Sequence, residues 1–140
     1  MPFLDLDDPR YARTDERLRT EIAIWLTTVN PDGQPQSTPV WYRWDGETFL
    51  IYSRPDRPKL RNIAENPNVS LHLVGDVEGE DVVTFEGTAV VDPSAPPSDQ
   101  LEGYMERYAY LVERFGWTPS GMAADYSVAI RVTPTRVRVM

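Results

Sequence analysis

The sequence of 140 residues contains no cysteine and a single histidine. The first absence excludes a disulfide framework, a thiolate metal site and a cysteine nucleophile. The second leaves any Ser–His–acid relay or histidine-rich metal centre resting on His72 alone. That residue sits inside an alternating strand pattern, where a packed or exposed histidine is the simpler reading. No apolar run approaches the roughly 18 residues of a membrane-spanning helix. Bases are outnumbered, 14 against 22 acids, giving a formal net charge of −8. A general nucleic-acid surface is thereby disfavoured, because counterion release needs clustered Lys and Arg and single-strand binding needs a basic aromatic face. The chain also lacks a GxGxxG fingerprint, a Walker P-loop and a CxxC pair. Its start, Met1-Pro2-Phe3-Leu4-Asp5, carries acid where a secretory signal carries base, so a cytoplasmic protein is expected.

What is present reads as one domain, 1–140, mainly β with short helices. Residues 1–13 are polar and irregular, an expected N-terminal arm, with Thr14 or Asp15 capping a short helix to about Thr20. Strands are expected at Glu21–Val29 and Ser37–Trp44 across an Asn30-Pro31-Asp32-Gly33 turn, and at Thr48–Ser53 after Asp45-Gly46. Pro58 to Asn66 reads as a helix with Leu60 and Ile63 on its apolar stripe. Strands resume at Val69–Val74 and Asp81–Val91. Leu101, Tyr104, Met105, Tyr108 and Leu111 then recur at helical spacing, predicting a helix over Gln100–Phe115. The chain closes with Tyr126–Val132, a bend at Pro134, and Arg136–Val139. Six strand segments joined by turns too short for parallel crossovers predict an antiparallel barrel closed by long-range pairing.

One segment departs from the acidic background. Arg54, Arg57, Lys59 and Arg61 face only Asp56 between positions 54 and 61. It lies where a strand ends in Ser53 and a helix begins, so a hydroxyl, cations and free helix N–H groups could converge on a phosphate. The competing reading is a solvated helix face. The acids Asp76, Glu78, Glu80 and Asp81 lack EF-hand spacing and read as a solvated hairpin tip. Trp41 and Tyr42 occupy adjacent, opposite-facing strand positions, so one could border a planar ligand while the other packs inward.

The order of these features carries a resemblance. NPDGQPQSTPVWYRWDGETFLIYS, then RPDRPKLRNIAENPNVSLHL, then DVVTFEGTAVV and a terminal VAIRVTPTRVRV together resemble the split β-barrel superfamily of pyridoxamine 5′-phosphate oxidase. Within it, the chain is most similar to small oxidoreductases that use the deazaflavin coenzyme F-420. The resemblance spans about residues 14–139. It implies a six-stranded antiparallel split barrel of the FMN-binding type and a homodimer with two cofactor sites at the subunit interface. It also implies that Pro39, Val40, Trp41 and Tyr42 border the ring system, partly through backbone groups. Ser53, Arg54, Lys59 and Arg57 match phosphate-binding positions, with Asn62 beside them; Trp117 or Tyr126 would come from the second subunit. The C-terminus lacks the histidine-containing arginine motif of the vitamin oxidase, so that reaction is not expected. The function implied is hydride transfer from F-420 to a small unsaturated or quinone-like substrate. FMN-dependent oxidoreduction on the same scaffold and a non-catalytic flavin or deazaflavin carrier are the alternatives. No proton donor, metal site or nucleic-acid or membrane partner is assigned.

Overall fold

The computed structural model describes residues 2–140. Its strands are β1 (Ile24–Val29), β2 (Pro35–Val40), β3 (Arg43–Trp44), β4 (Phe49–Ser53), β5 (Asn68–Leu73), β6 (Val83–Val91) and β7 (Val128–Val139). The helices are α1 (Pro9–Thr20), α2 (Pro58–Glu65), α3 (Tyr104–Arg114) and α4 (Pro119–Asp125). All strands pair antiparallel in one sheet of order β2-β1-β5-β6-β7-β4-β3. The edges β2 and β3 are separated in sequence only by Trp41 and Tyr42. A sheet whose two edges lie two residues apart must roll up, and that is how the barrel closes.

The strand count is therefore seven, where six were expected. The predicted strand 37–44 breaks at Trp41-Tyr42 because the chain leaves one sheet edge there and joins the other. At this seam the Tyr108 hydroxyl substitutes for a strand partner. It accepts from the Tyr42 N–H at 3.1 Å and donates to the Ile22 carbonyl at 2.7 Å. The Arg107 guanidinium lies 4.6 Å over the Tyr42 ring and donates to the Glu21 carbonyl. Helix α3 is thus bolted across the split.

Other boundaries moved for local reasons. The expected irregular arm turns helical at Pro9: Asp8 caps α1, accepting from the Arg10 N–H at 2.9 Å, and Pro9 occupies the first turn. Met1 lies outside the described residues. The helix expected from Gln100 begins at Tyr104, after a 3-10 turn over Ser98–Gln100. The bend at Pro134 is a bulge instead of a strand end: β7 runs through it, with the register shifting at Glu86/Gly87 opposite. A Cβ on Gly87 would lie 2.6 Å from the Thr133 carbonyl oxygen, so only glycine fits that close approach.

Burial follows strand alternation. Ile24, Leu26, Tyr42, Phe49, Ile51, Phe85 and Ile130 fill the barrel. A second cluster, Leu50, Tyr52, Tyr104, Tyr108, Val112 and Met122, lies between the sheet and α3–α4. Strand β4 is buried at every position because it serves both clusters, which explains its unbroken apolar run.

Candidate functional site

Where the seam meets the N-terminus of α2 there is a cavity of about 500 Å³. Pro39, Val40 and Trp41 of the β2–β3 crossing form one wall, Tyr52 and Tyr104 the floor. Arg57 and Lys59 at the start of α2, Arg54, and Phe115, Trp117, Met122 and Tyr126 of the α3–α4 region complete the lining, with Arg54 packed against Tyr126. Trp41 stacks on Tyr108, with centroids 4.5 Å apart and planes within 4°. Trp117 lies 6.2 Å from Trp41 and 6.3 Å from Tyr126.

Six of the nine sequence-predicted residues therefore meet: Pro39, Val40, Trp41, Arg54, Arg57 and Lys59. Three do not. Tyr42 points into the barrel, opposite to Trp41, and its backbone N–H is already bonded to Tyr108. Ser53 is buried and its hydroxyl donates to the Arg54 carbonyl at 2.9 Å. Asn62 ties α2 to the sheet, donating to Thr28 Oγ1 and Gln36 Oε1 at 3.0 Å each. Arg61 is exposed and does not line the cavity. Trp117 and Tyr126, expected from a second subunit, line this chain's own cavity. Helix α4, which carries Met122, was missed because seven residues give no legible periodicity. Its Thr118-Pro119 start was the available sign: Thr118 Oγ1 accepts from the Gly121 N–H at 3.0 Å.

Electrostatically the cations of the cavity are only partly balanced: Asp125 and Asp56 lie near Arg54 without pairing with it. Among the described residues none of Arg54, Arg57 and Lys59 makes an ion pair, although the chain carries a formal −8. Lys59, the sequence's only lysine, is half-buried; burial, then the neighbouring Arg57, lowers its pKa below the usual 10.5. Arg54 stacks over Tyr126 at 5.1 Å, and its Nε is buried without a partner. An unpaired buried donor beside two further cations is a site shaped for an anion. The phenols behave differently. Burial raises Tyr104 and Tyr52 and pushes Tyr108 up to about 12, so at neutral pH they are protonated hydrogen-bonding groups, not acids poised to ionise.

Aromatic rings and cations thus share one cavity at the seam of a rolled antiparallel sheet, and that fold is of the split-barrel class. The family described as pyridoxamine 5′-phosphate oxidase matches residues 12–140, and the chain belongs to that family. A pyridoxine/pyridoxamine 5′-phosphate oxidase of Bacteroides thetaiotaomicron is 33% identical over 95 residues, covering 66% of this chain and 42% of that protein. The match thus spans less than half of the curated relative's length. Among solved structures, an F-420 reductase superposes with a TM-score of 0.64 at 29% identity, over 89% of this chain and 94% of that one. A haem storage protein of Vibrio cholerae superposes at 0.62 with 21% identity, over 91% and 92%; at that distance only the fold is shared. Among the described residues no helix is long and apolar enough to cross a membrane, and no group of His, Cys, Asp and Glu could hold a metal ion.

Proposed function

We propose that this protein is an oxidoreductase that binds coenzyme F-420 in the cavity and serves hydride transfer to a small, planar, unsaturated or quinone-like acceptor. The observation that carries the reading is the presence of three cations that make no ion pair in one aromatic-lined chamber of an otherwise acidic chain. The cavity volume lies in the range of small-molecule sites. Arg54, Arg57 and Lys59 would hold the phosphate and the start of an anionic tail, while Trp41 would border the ring. Beyond the first phosphate F-420 continues into a negatively charged tail, whereas FMN stops; more than one spare cation suits the longer ligand. When bound, reduced F-420 supplies a hydride, and with a proton from water a quinone acceptor becomes its hydroquinone. The neutral phenols around the chamber orient and exclude water; none is assigned as the acid.

FMN is the second reading, favoured by the 33% identity to a pyridoxine/pyridoxamine 5′-phosphate oxidase. Equilibrium titration of the purified protein with both coenzymes separates them. F-420 is expected to bind more tightly; FMN binding roughly tenfold tighter would reverse the choice. Association into a homodimer also belongs to this reading. Its support is the exposed pair Val90 and Val91 beside an apolar groove with Ile63, Ala64 and Pro67. Light scattering that shows a stable monomer at micromolar concentration would remove the dimer from the account.

A further inference from the structure

Lys59 is the only lysine in the chain, and it stands at the boundary of two cavities. With Thr38 and Arg57 it lines both the chamber at the seam and a smaller cavity of about 230 Å³ walled by Thr28, Gln36 and Ser37. Fold stability does not explain its place. Helix α2 carries no acid in its first turn, its cap residue Arg57 makes no side-chain capping bond, and Lys59 follows Pro58 directly. That is the positive end of the helix dipole, where a cation is disfavoured.

The surroundings make the amine a nucleophile. A lysine attacks only as the free base, and it is activated when desolvated or set beside another cation. Lys59 meets both conditions. It is half-buried with Arg57 as its neighbour, and burial first and Arg57 second bring its pKa below 10.5. Among the described residues no acid pairs with Lys59 or Arg57, so no carboxylate holds the ammonium in its charged form. Arg57 is exposed, and its guanidinium is a planar fork that fits a phosphate. An amine beside such a group suits a reagent that carries both an electrophilic carbon and a phosphate.

We infer that Lys59 is an acylation site, at which a small acyl phosphate transfers its acyl group and so switches off the cavity's capacity for anions. Arg57 holds the phosphate end. The Nζ lone pair attacks the acyl carbon; the N–C bond forms, the C–O bond to phosphate breaks, and phosphate leaves with that electron pair. Nζ then gives up one proton to water. Nothing is oxidised or reduced, and an uncharged amide replaces a cation. The consequence for the coenzyme rests on the proposed function, in which Lys59 helps to hold F-420; the acylation itself does not.

The test treats the full chain, without coenzyme, with acetyl phosphate and follows each amine by peptide mass spectrometry. The amino terminus is the internal reference: α-amino groups titrate near about 8 and lysines near about 10.4, so in open solution the terminus reacts faster. Lys59 is expected to react at least about tenfold faster than the terminus, the scale of enrichment that a charged cleft supplies, and inorganic phosphate should slow it. With p-nitrophenyl acetate, which carries no phosphate, that preference should shrink by at least roughly fivefold. Arg57→Gln should slow acetyl phosphate at Lys59 at least about fivefold more than p-nitrophenyl acetate, because only the first reagent uses the guanidinium. In Lys59→Arg the internal adduct should vanish while the terminal one stays. The acetylated protein should bind F-420 roughly tenfold more weakly or worse. A terminus that reacts as fast as Lys59 overturns the inference, as does a rate that phosphate leaves alone, or an Arg57→Gln variant that slows both reagents equally. Acetylated protein that binds F-420 as tightly as before overturns the switch. If Lys59 is acetylated as described but the unmodified protein does not bind F-420, the modification site stands and the coenzyme assignment falls.

Discussion

Phe49 and Trp117 each sit in a cluster of aromatic rings, yet the two clusters obey different rules. Inside the barrel Phe49 lies 5.1 Å from Phe85 and 4.6 Å from Trp44, and all three are almost fully buried. Around the cavity Trp41, Phe115, Trp117 and Tyr126 touch at similar distances but remain partly or largely open. The neighbouring Tyr42 hydroxyl is buried without a partner, but Phe49, Phe85 and Trp44 have satisfied their contacts within the chain, and the Trp44 indole N–H is bonded. The cavity cluster has not. Within it stand cations that make no ion pair, so open apolar surface and unpaired charge meet in one place. Residue type alone does not distinguish a core from a binding site; the distinction is whether the chain itself completes the contacts.

The largest effect that should separate the two regions comes from the barrel. Phe49→Ala should cost about 3–5 kcal/mol of stability, because a fully buried ring leaves a cavity in a closed core. Chemical denaturation measures this, and a loss below about 1 kcal/mol would mean that the barrel is not packed as described. Lys59→Ala should do the reverse, weakening F-420 by about 1.5–3 kcal/mol while the ligand-free melting temperature barely moves. Arg61→Ala, on the same helix but away from the cavity, is the control and should leave affinity almost unchanged.

Gly116→Ala should cost about 1–2 kcal/mol, the penalty for an L side chain in the left-handed region. It should also loosen the end of α3, where the Trp117 N–H donates to the Val112 carbonyl at 2.9 Å and the Gly116 N–H to the Glu113 carbonyl at 3.0 Å; an unchanged denaturation midpoint would contradict that helix stop. The smallest effect is a pH dependence. Lys59 titrates below 10.5 in the folded protein, so raising pH through its lowered pKa removes a buried charge. Ligand-free stability should therefore rise slightly across the window up to 10.5, while F-420 affinity falls. In Lys59→Arg the fall in affinity should disappear, since arginine keeps its proton there. Affinity that is flat with pH in the native protein would take Lys59 out of the site.

Much of this was legible in the sequence because local rules governed it. The Asn30–Gly33 turn, the Asp45-Gly46 hairpin, helix α2 and the Arg54–Lys59 cluster all follow from residues close to each other in the chain. The seam was not legible. The break at Trp41-Tyr42 depends on a Tyr108 hydroxyl supplied from 66 positions away, and no window around residue 41 contains that information. For the same reason the local pattern around Ser53 and Asn62 does not show the bonds that their side chains make. Tyr52 and Arg54, on either side of Ser53, do face the cavity, but the Ser53 hydroxyl is committed to the Arg54 carbonyl and the Asn62 amide N–H groups to Thr28 and Gln36. Trp117 and Tyr126 were identifiable as residues but not as belonging to this subunit's cavity, because the short helix between them left no periodic trace.

The central claim is that the unpaired cations of the cavity hold a coenzyme whose negative charge extends past its first phosphate. Titration of F-420 and of FMN across a range of salt concentrations tests it most directly. If Arg54, Arg57 and Lys59 act together on an extended anion, F-420 binds more tightly than FMN at low salt, and its affinity falls more steeply as salt screens those pairs. F-420 affinity that ignores salt, or FMN binding that is tighter and equally salt-sensitive, would contradict the account.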